Sequence, residues 1–452
     1  MYKPLTVLVL TSILSLTLYA GPMKAGMAKV VITPPTPIML AGYAARKSPA
    51  ESRYQDLYAK ALAIWDDRDR AVVIVTADIL GFTDELTAAV SEAAKEKYGL
   101  QRDQIIFNSS HTHSGPVIRK NLIGAYQLNA EQATKIHEYT LALQEKLVWV
   151  IGKALREKTI ARLSLGSGQA DFAVNRRQSG PEGIRIGVNP GGPVDKEVPV
   201  LMVESNHDVL LGVIFLYACH NTTLTDSFNQ LSGDYAGFAQ NAFEQKHPGS
   251  VAMFVQGCGG DVNPNPRGTL ELATSYGNKL AEVVDSVIAG KLREVKGPVR
   301  TAYEKVLIGF DKLPSKEELT ARLSETDVFR RRHAERMLAR LERDGSLRKD
   351  YAYPVQVLQI GGDFTFVALG GEVVTDYALR IKKELGGKSL FVAGYSNDVM
   401  GYIPSQRMFS EGGYEVDASM IYYDLPTRWN PGVEEVIFSK VLDLVRVTGG
   451  RK

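Results

Sequence analysis

One pattern recurs along the chain. A short β-branched or apolar run ends in small and polar residues, and a helical stretch separates it from the next run. The runs are 72–76, 105–107, 213–217, 251–255, 364–369 and 390–393. Runs without polar alternation read as strands covered on both faces. Helical spacing fills 84–98, 131–157, 235–245, 271–288 and 373–385. Strands alternating with helices predict an α/β fold with mixed or parallel strands flanked by helices. In such sheets ligands bind beyond the carboxyl ends of the strands. The polar residues that end these runs are therefore expected to converge on one site. No internal repeat or long linker interrupts the pattern, so residues 21–452 are expected to form one large domain.

Composition narrows the function. Lys+Arg 53 against Asp+Glu 51 leaves a formal charge of +2, no excess with which to neutralise phosphates, so nucleic acid is not an expected partner. Two cysteines cannot build a disulfide framework or a Cys-rich zinc site. A metal would have to use histidine and carboxylate, and there are seven histidines. Lys3, the apolar run 5–20 and the small residues Ala20, Gly21, Ala25 and Gly26 fit a secretory signal peptide. The run is short for a spanning helix, which needs ~20 apolar residues. The expectation is a signal peptide over residues 1–20, with cleavage after Ala20 or Ala25, and a secreted or periplasmic protein. Cys219 and Cys258 could pair in an oxidising compartment, and the sequence leaves that open. Residues 315–348 are densely charged with Leu and Met at helical spacing. They read as one or two exposed amphipathic helices, a lid or insertion with a solvated charged face.

The chemistry sits at the ends of the runs. His111-Thr112-His113 follows the run 105–107. On an extended backbone such residues point to one side, roughly 6–7 Å apart, where two imidazoles can grip one ion. An HxH pair alone also fits two hydrogen-bonded histidines. Its strand-exit position and the Ser114-Gly115-Pro116 turn favour ligation. His220 ends the run 213–217, and Glu372 follows 364–369. Together they make a candidate zinc set. His137, His207, His247 and His333 read as surface residues. The glycine-dense turn 256–261 could aim backbone N–H groups at a developing oxyanion. It lacks the ending of a P-loop, and no GxSxG elbow or dinucleotide fingerprint occurs.

These motifs, in order, resemble the neutral ceramidase family: Ile32-Thr33-Pro34 with Gly42-Tyr43, Ala77-Asp78, Ser110 through Pro116, Asn175-Arg176, Ala218-Cys219-His220-Asn221, Ser232-Gly233-Asp234-Tyr235, Gly259-Gly260-Asp261, Gly371-Glu372, Asn397 through Tyr402, and Gly413-Tyr414-Glu415. The resemblance implies a zinc-dependent amidase that splits N-acyl bonds, as in ceramide to sphingosine and fatty acid. It implies Zn²⁺ held by His111, His113, His220, Glu372 and Tyr402, with Arg176 and Tyr414 at the scissile group or oxyanion. Two departures stand out. Asn263 occupies the position where the family carries a serine assigned a catalytic role; its amide can donate to an oxyanion but cannot act as a hydroxyl nucleophile. The chain also ends soon after the last motif, as in a short form without the family's immunoglobulin-like C-terminal domain. The expected reaction uses metal-activated water, with Arg176, Tyr414 or Asn263 stabilising the oxyanion and Asp261 or Asp234 moving the proton. The alternatives are a zinc hydrolase of another acyl substrate (N-acyl sugar, lipopeptide or ester) and a non-catalytic metal-containing lipid or glycan binder. The expected partner is a small N-acyl or lipid substrate, with room for peripheral membrane contact.

Overall fold

The computed structural model describes residues 22–386 and 390–449, so the expected signal peptide lies outside the described residues. The strands are Lys24–Val31 (β1), Tyr58–Trp65 (β2), Ala71–Ala77 (β3), Ile105–Ser109 (β4), Thr159–Gln169 (β5), Ala173–Gly180 (β6), Gly183–Asn189 (β7), Glu197–Ser205 (β8) and Leu210–Tyr217 (β9). They continue with Val251–Gln256 (β10), Val262–Pro264 (β11), Arg293–Val295 (β12), Val299–Gly309 (β13), Asp350–Ile360 (β14), Phe364–Leu369 (β15), Glu372–Val373 (β16), Phe391–Ala393 (β17) and Tyr402–Ile403 (β18). The α-helices are Asp84–Tyr98 (α1), Ala130–Arg156 (α2), Asp234–Lys246 (α3), Leu270–Ile288 (α4), Lys316–Arg322 (α5), Val328–Asp344 (α6), Thr375–Leu385 (α7), Met408–Glu411 (α8) and Val433–Gly449 (α9).

Two sheets stack between two layers of helix. The larger runs β10-β9-β8-β5-β1-β2-β3-β4, with β12 beside β5; the second runs β13-β14-β15-β17. The period of two along each strand explains the stacking. On β2 and β3, Leu62, Ile64, Val72 and Ile74 meet Leu358, Phe366 and Phe391 of the second sheet. Their neighbours Ala61, Ala63, Val73 and Val75 meet Leu86, Val90, Leu143 and Leu147 of α1 and α2. Val200, Val213 and Phe215 pack under α3 and α4 against Phe243, Leu280 and Val284. Val355, Val357 and Val367 pack under α7 and α9 against Tyr377, Ile437 and Val441. Both faces are covered, hence the unbroken apolar runs.

The expected mixed α/β domain is what forms. The pairs β3/β4, β9/β10, β15/β17 and β16/β18 are parallel, and the remaining pairs are antiparallel. Asn108, at the end of β4, bonds the end of β10. Its Oδ1 accepts from Gln256 N at 2.8 Å, and its Nδ2 donates to Gln256 O at 3.3 Å and Gly394 O at 2.8 Å. The carboxyl ends of β4, β10 and β17 are thereby drawn together.

The charged stretch departs from expectation. It forms α5 and α6, but its charge is not simply solvated. Arg336 and Arg340 bind the buried Asp424, and His333, expected at the surface, is buried with Nε2 2.7 Å from Leu425 O. Apolar Ala334 and Met337 pull that helix face inward and carry His333 with them. Cys219 and Cys258 are both buried free thiols. No helix among the described residues is long and apolar enough to cross a membrane.

Candidate metal centre

Residues at four strand ends supply the centre. His111 lies two residues past β4, His220 three past β9, Glu372 opens β16, and Tyr402 opens β18. Glu372 and Tyr402 are direct partners in the parallel β16–β18 pair. All are buried, His220 completely. The extended backbone expected for His111-Thr112-His113 is not what forms. His111 has φ 60°, and the two rings meet through a turn, their Nε2 atoms 3.2 Å apart. His111 N donates to Ile79 O at 3.1 Å and His113 N to Asn221 O at 3.3 Å, which holds that left-handed turn. Gly42, at φ 93°, backs His113: a Cβ there would stand 2.3 Å from His113 Nδ1. The sequence spacing brought the pair together for a different geometric reason than the strand rise.

Hydrogen bonding sets the tautomers. His111 Nδ1 lies 2.6 Å from Leu80 O, and His220 Nδ1 2.7 Å from Gly259 O. A carbonyl only accepts, so in both rings Nδ1 carries the proton and Nε2 presents a lone pair. Those lone pairs face an acceptor. Glu372 Oε2 lies 3.2 Å from His111 Nε2 and 2.9 Å from His220 Nε2. Burial, with Arg176 alongside, pushes His220 down to about 4. Burial and the adjacent His111 hold His113 well below its ordinary value. Acceptors facing acceptors in a buried pocket are repulsive unless donors or a cation lie among them; Tyr402 Oη and Arg176 Nη1 reach His220 Nε2, and an ion would satisfy the whole set. The ligand atoms of His111, His113 and His220 lie within 4.8 Å of one another, the spacing of a shared ion. Imidazole, carboxylate and phenol oxygen suit Zn²⁺. Tyr402 Oη, 3.3 Å from His220 Nε2, completes the set.

Arg176 on β6 reaches the same place. Its Nε donates to Glu415 Oε1 at 2.9 Å, its Nη1 lies 3.4 Å from both His220 Nε2 and Asn263 Oδ1, and its buried Nη2 has no partner. The guanidinium lies over the rings of Tyr402 and Tyr414, at 5.3 and 5.7 Å. Asn263 Oδ1 also accepts from Thr222 Oγ1 at 3.4 Å. Asp261 is not brought to the cluster. One oxygen accepts from Thr375 N and Oγ1 at 2.8 and 2.9 Å, the other from Asn175 Nδ2 at 2.8 Å. Asp234 accepts from Leu224 N and Tyr235 N, and burial pushes its carboxyl up to about 6. In the glycine turn, Gly257 N donates to Tyr217 O and Gly260 N to Val373 O, and a Cβ on Gly260 would stand 2.6 Å from Glu372 O. Those glycines let the turn pack against the backbone that carries Glu372.

Residues 23–324 match the family described as neutral/alkaline non-lysosomal ceramidase, N-terminal. The chain belongs to this ceramidase family. Among curated relatives, neutral ceramidase A of Dictyostelium discoideum is 26% identical over 255 residues, 52% of this chain and 34% of that protein. The neutral ceramidase of Pseudomonas aeruginosa is 26% identical over 256 residues, 54% of this chain and 37% of that protein. The matched stretch thus spans about a third of each relative. The crystal structure of the Pseudomonas aeruginosa neutral ceramidase shares the fold, with a TM-score of 0.72 at 19% identity over 94% of this chain and 74% of that one.

Glu372, Tyr402 and Tyr414 of this ceramidase-family chain lie beyond the matched residues; the tertiary structure sets Glu372 and Tyr402 against His220, with the Tyr414 ring 5.4 Å from that of Tyr402. Three neighbours escaped sequence reasoning. The Tyr423 hydroxyl donates to Glu372 Oε1, the Tyr395 ring stands 4.4 Å from the His111 ring, and Glu415 orients Arg176. Glu415 was marked only by standing next to Tyr414. Tyr423, in an aromatic loop, carried no signal.

Proposed function

We propose that this protein is a zinc-dependent hydrolase of N-acyl amide bonds with a ceramidase-like substrate. The observation that carries the reading is the buried meeting of two imidazole lone pairs with an ionised carboxylate, beside the unpartnered Arg176 Nη2. His111, His113, His220, Glu372 and Tyr402 would hold the ion. Zinc supplies Lewis acidity, polarising an acyl carbonyl and acidifying a water molecule. Arg176 Nη2 and the Tyr414 hydroxyl are the donors for the oxyanion that develops on the acyl oxygen, each such donor worth about 3–4 kcal/mol. Arg176 can only donate, so the Asn263 carbonyl must face it, which leaves the Asn263 amide as a third donor. The attacking water carries the proton that the departing amine takes up, because His113, as a ligand, is not free to move it. Asp261 and Asp234 have their oxygens occupied elsewhere.

An apolar substrate fits the surroundings. From Tyr402 the rings step outward to Tyr414 at 5.4 Å, to Tyr422 at 6.3 Å and to Phe329 at 5.3 Å. Val328, exposed, immediately precedes Phe329 in sequence. Such a lane suits an acyl or sphingoid chain entering from a micelle or membrane surface. Asn263, in place of the family's serine, favours a second reading in which another amide or ester is cleaved. We also assign the protein to a secreted or periplasmic location on the strength of the 5–20 run.

Zinc-loaded protein should release fatty acid from an N-acyl sphingosine, and chelation should abolish release. His111→Ala should lose zinc and turnover together. A fully active, metal-free His111→Ala protein would sink the proposal. Zinc-containing protein without release would move the substrate to other amides and esters. Binding of an N-acyl lipid with no turnover of any amide or ester would identify a binder.

A further inference from the structure

The α6 helix carries Arg332, Arg336 and Arg340 at four-residue spacing, which places them along one face. That face is turned toward the metal centre. Arg336 Nε donates to Asp424 Oδ1 at 2.6 Å; Arg340 Nη2 donates to Asp424 Oδ2, and Arg340 Nη1 to Asp424 O at 2.8 Å. Asp424 is buried and sits at φ 61°, a conformation a non-glycine residue rarely adopts. His333 Nε2 lies 2.7 Å from Leu425 O. The clamp therefore grips the residue next to Tyr423, whose hydroxyl donates to Glu372 Oε1. A second line runs to the histidines. Arg332 Nη2 donates to Tyr126 O, Tyr126 Oη accepts from Gly42 N at 2.8 Å, and Gly42 abuts the His113 ring.

We infer that α6 is a brace for the metal centre, and that Arg336, Arg340 and Asp424 are positioning residues acting through Tyr423 on Glu372. The inference rests on the proposed metal function of that site. Glu372 has one oxygen toward His111 and His220 and the other on Tyr423. Fixing the Tyr423 backbone fixes where its hydroxyl stands, and so which way the carboxylate turns. A carboxylate held in place loses less rotational freedom on taking an ion, and loss of such supporting contacts commonly lowers metal affinity about 10–100-fold. α6 lies beyond the residues matched by the family, so this brace is a feature read from this chain alone.

The test is zinc affinity by competition with a chromophoric chelator, on full-length protein. Asp424→Asn keeps the size and the tolerance for positive φ while removing the charge both arginines hold. It should weaken zinc binding about 10-fold, with the far-ultraviolet spectrum unchanged. Tyr423→Phe should weaken binding by a similar factor. The double variant should be no weaker than Tyr423→Phe alone, because both changes act through one hydroxyl. Multiplying effects in the double variant, or wild-type affinity in Asp424→Asn, would overturn the brace while leaving the zinc site intact. A wild-type protein that takes up no zinc would overturn the proposed function and the brace together. Arg336→Gln with Arg340→Gln should reproduce the Asp424→Asn loss. Retained affinity there counts against the clamp even if Asp424→Asn fails to fold.

Discussion

Asp398 shows how burial alone makes a side chain respond to pH. It accepts from Tyr351 Oη at 2.6 Å and from Asp84 N at 3.1 Å. Burial pushes its carboxyl up to about 7, and the nearby Asp84 carboxylate adds to the rise. The folded state then keeps a proton that the unfolded chain releases near pH 4. Stability from this group is full below that unfolded value and is lost as pH rises through about 7. Asp398→Asn can still accept from Asp84 N through its one oxygen, donates its amide to Tyr351 Oη instead of accepting from it, and cannot ionise. The unfolding free energy of wild type relative to this variant should fall by a few kcal/mol at most between about pH 5 and about pH 8 in urea titrations. A difference flat across that range would show that the carboxyl titrates normally. At the same scale, the residue types at the centre were legible in the sequence and their geometry was not. His111 and His113 stood out by spacing, but φ 60° at His111 depends on carbonyls from Ile79 and Asn221, far along the chain.

The two-residue strands β16 and β18 do more for the centre than their length suggests. Their pairing sets Glu372 beside Tyr402, with Glu372 N donating to Gly401 O at 2.8 Å. Gly371 precedes them at φ 75°, where a Cβ would stand 2.7 Å from Gly401 O and from the Ile403 side chain. Gly371→Ala should therefore part the pair, lowering stability by about 1–2 kcal/mol from the backbone conformation alone and zinc affinity with it. Calorimetry with a zinc titration on the same protein checks both. Intact zinc affinity in a destabilised variant would separate the pair from the site. These strands also explain a boundary: helical spacing from 373 becomes α7 only at Thr375, because Val373 is paired with Ile403. Other elements were plain. Asp84–Tyr98 carries Thr83 as N-cap and Gly99 at φ 74° as stop, both local signals. Strands such as Val299–Gly309 lie at a sheet edge with mostly half-exposed residues, so no apolar run marked them.

The fold bears on where an exported chain can be cut. Ala161 N donates to Met23 O at 3.0 Å, and Ala25 is fully buried between Ile64 and Thr159. Cleavage after Ala25 would strip β1 of residues that join it to β2 and β5. Protein recovered from medium or periplasm should therefore begin at Gly21 by N-terminal sequencing. A start at Gly26 would show that β1 tolerates the loss, and intracellular protein with an intact N-terminus would end the export assignment. Arg176 and Tyr402 entered only through the family resemblance, whereas for the whole molecule the sequence by itself determined the α/β class, the strand exits at which function gathers, and the histidines and carboxylate of the centre. These follow from local rules: both-face burial leaves unbroken apolar runs, helices carry their own spacing and caps, and metal-binding chemistry is confined to few residue types. Only the tertiary structure decided the stacking of two sheets, the partners of Asp261 and Asp234, the inward turn of His333, and the brace of α6 on Asp424. Each depends on contacts between residues tens to hundreds of positions apart, and no local pattern encodes a contact whose other half lies in a distant loop.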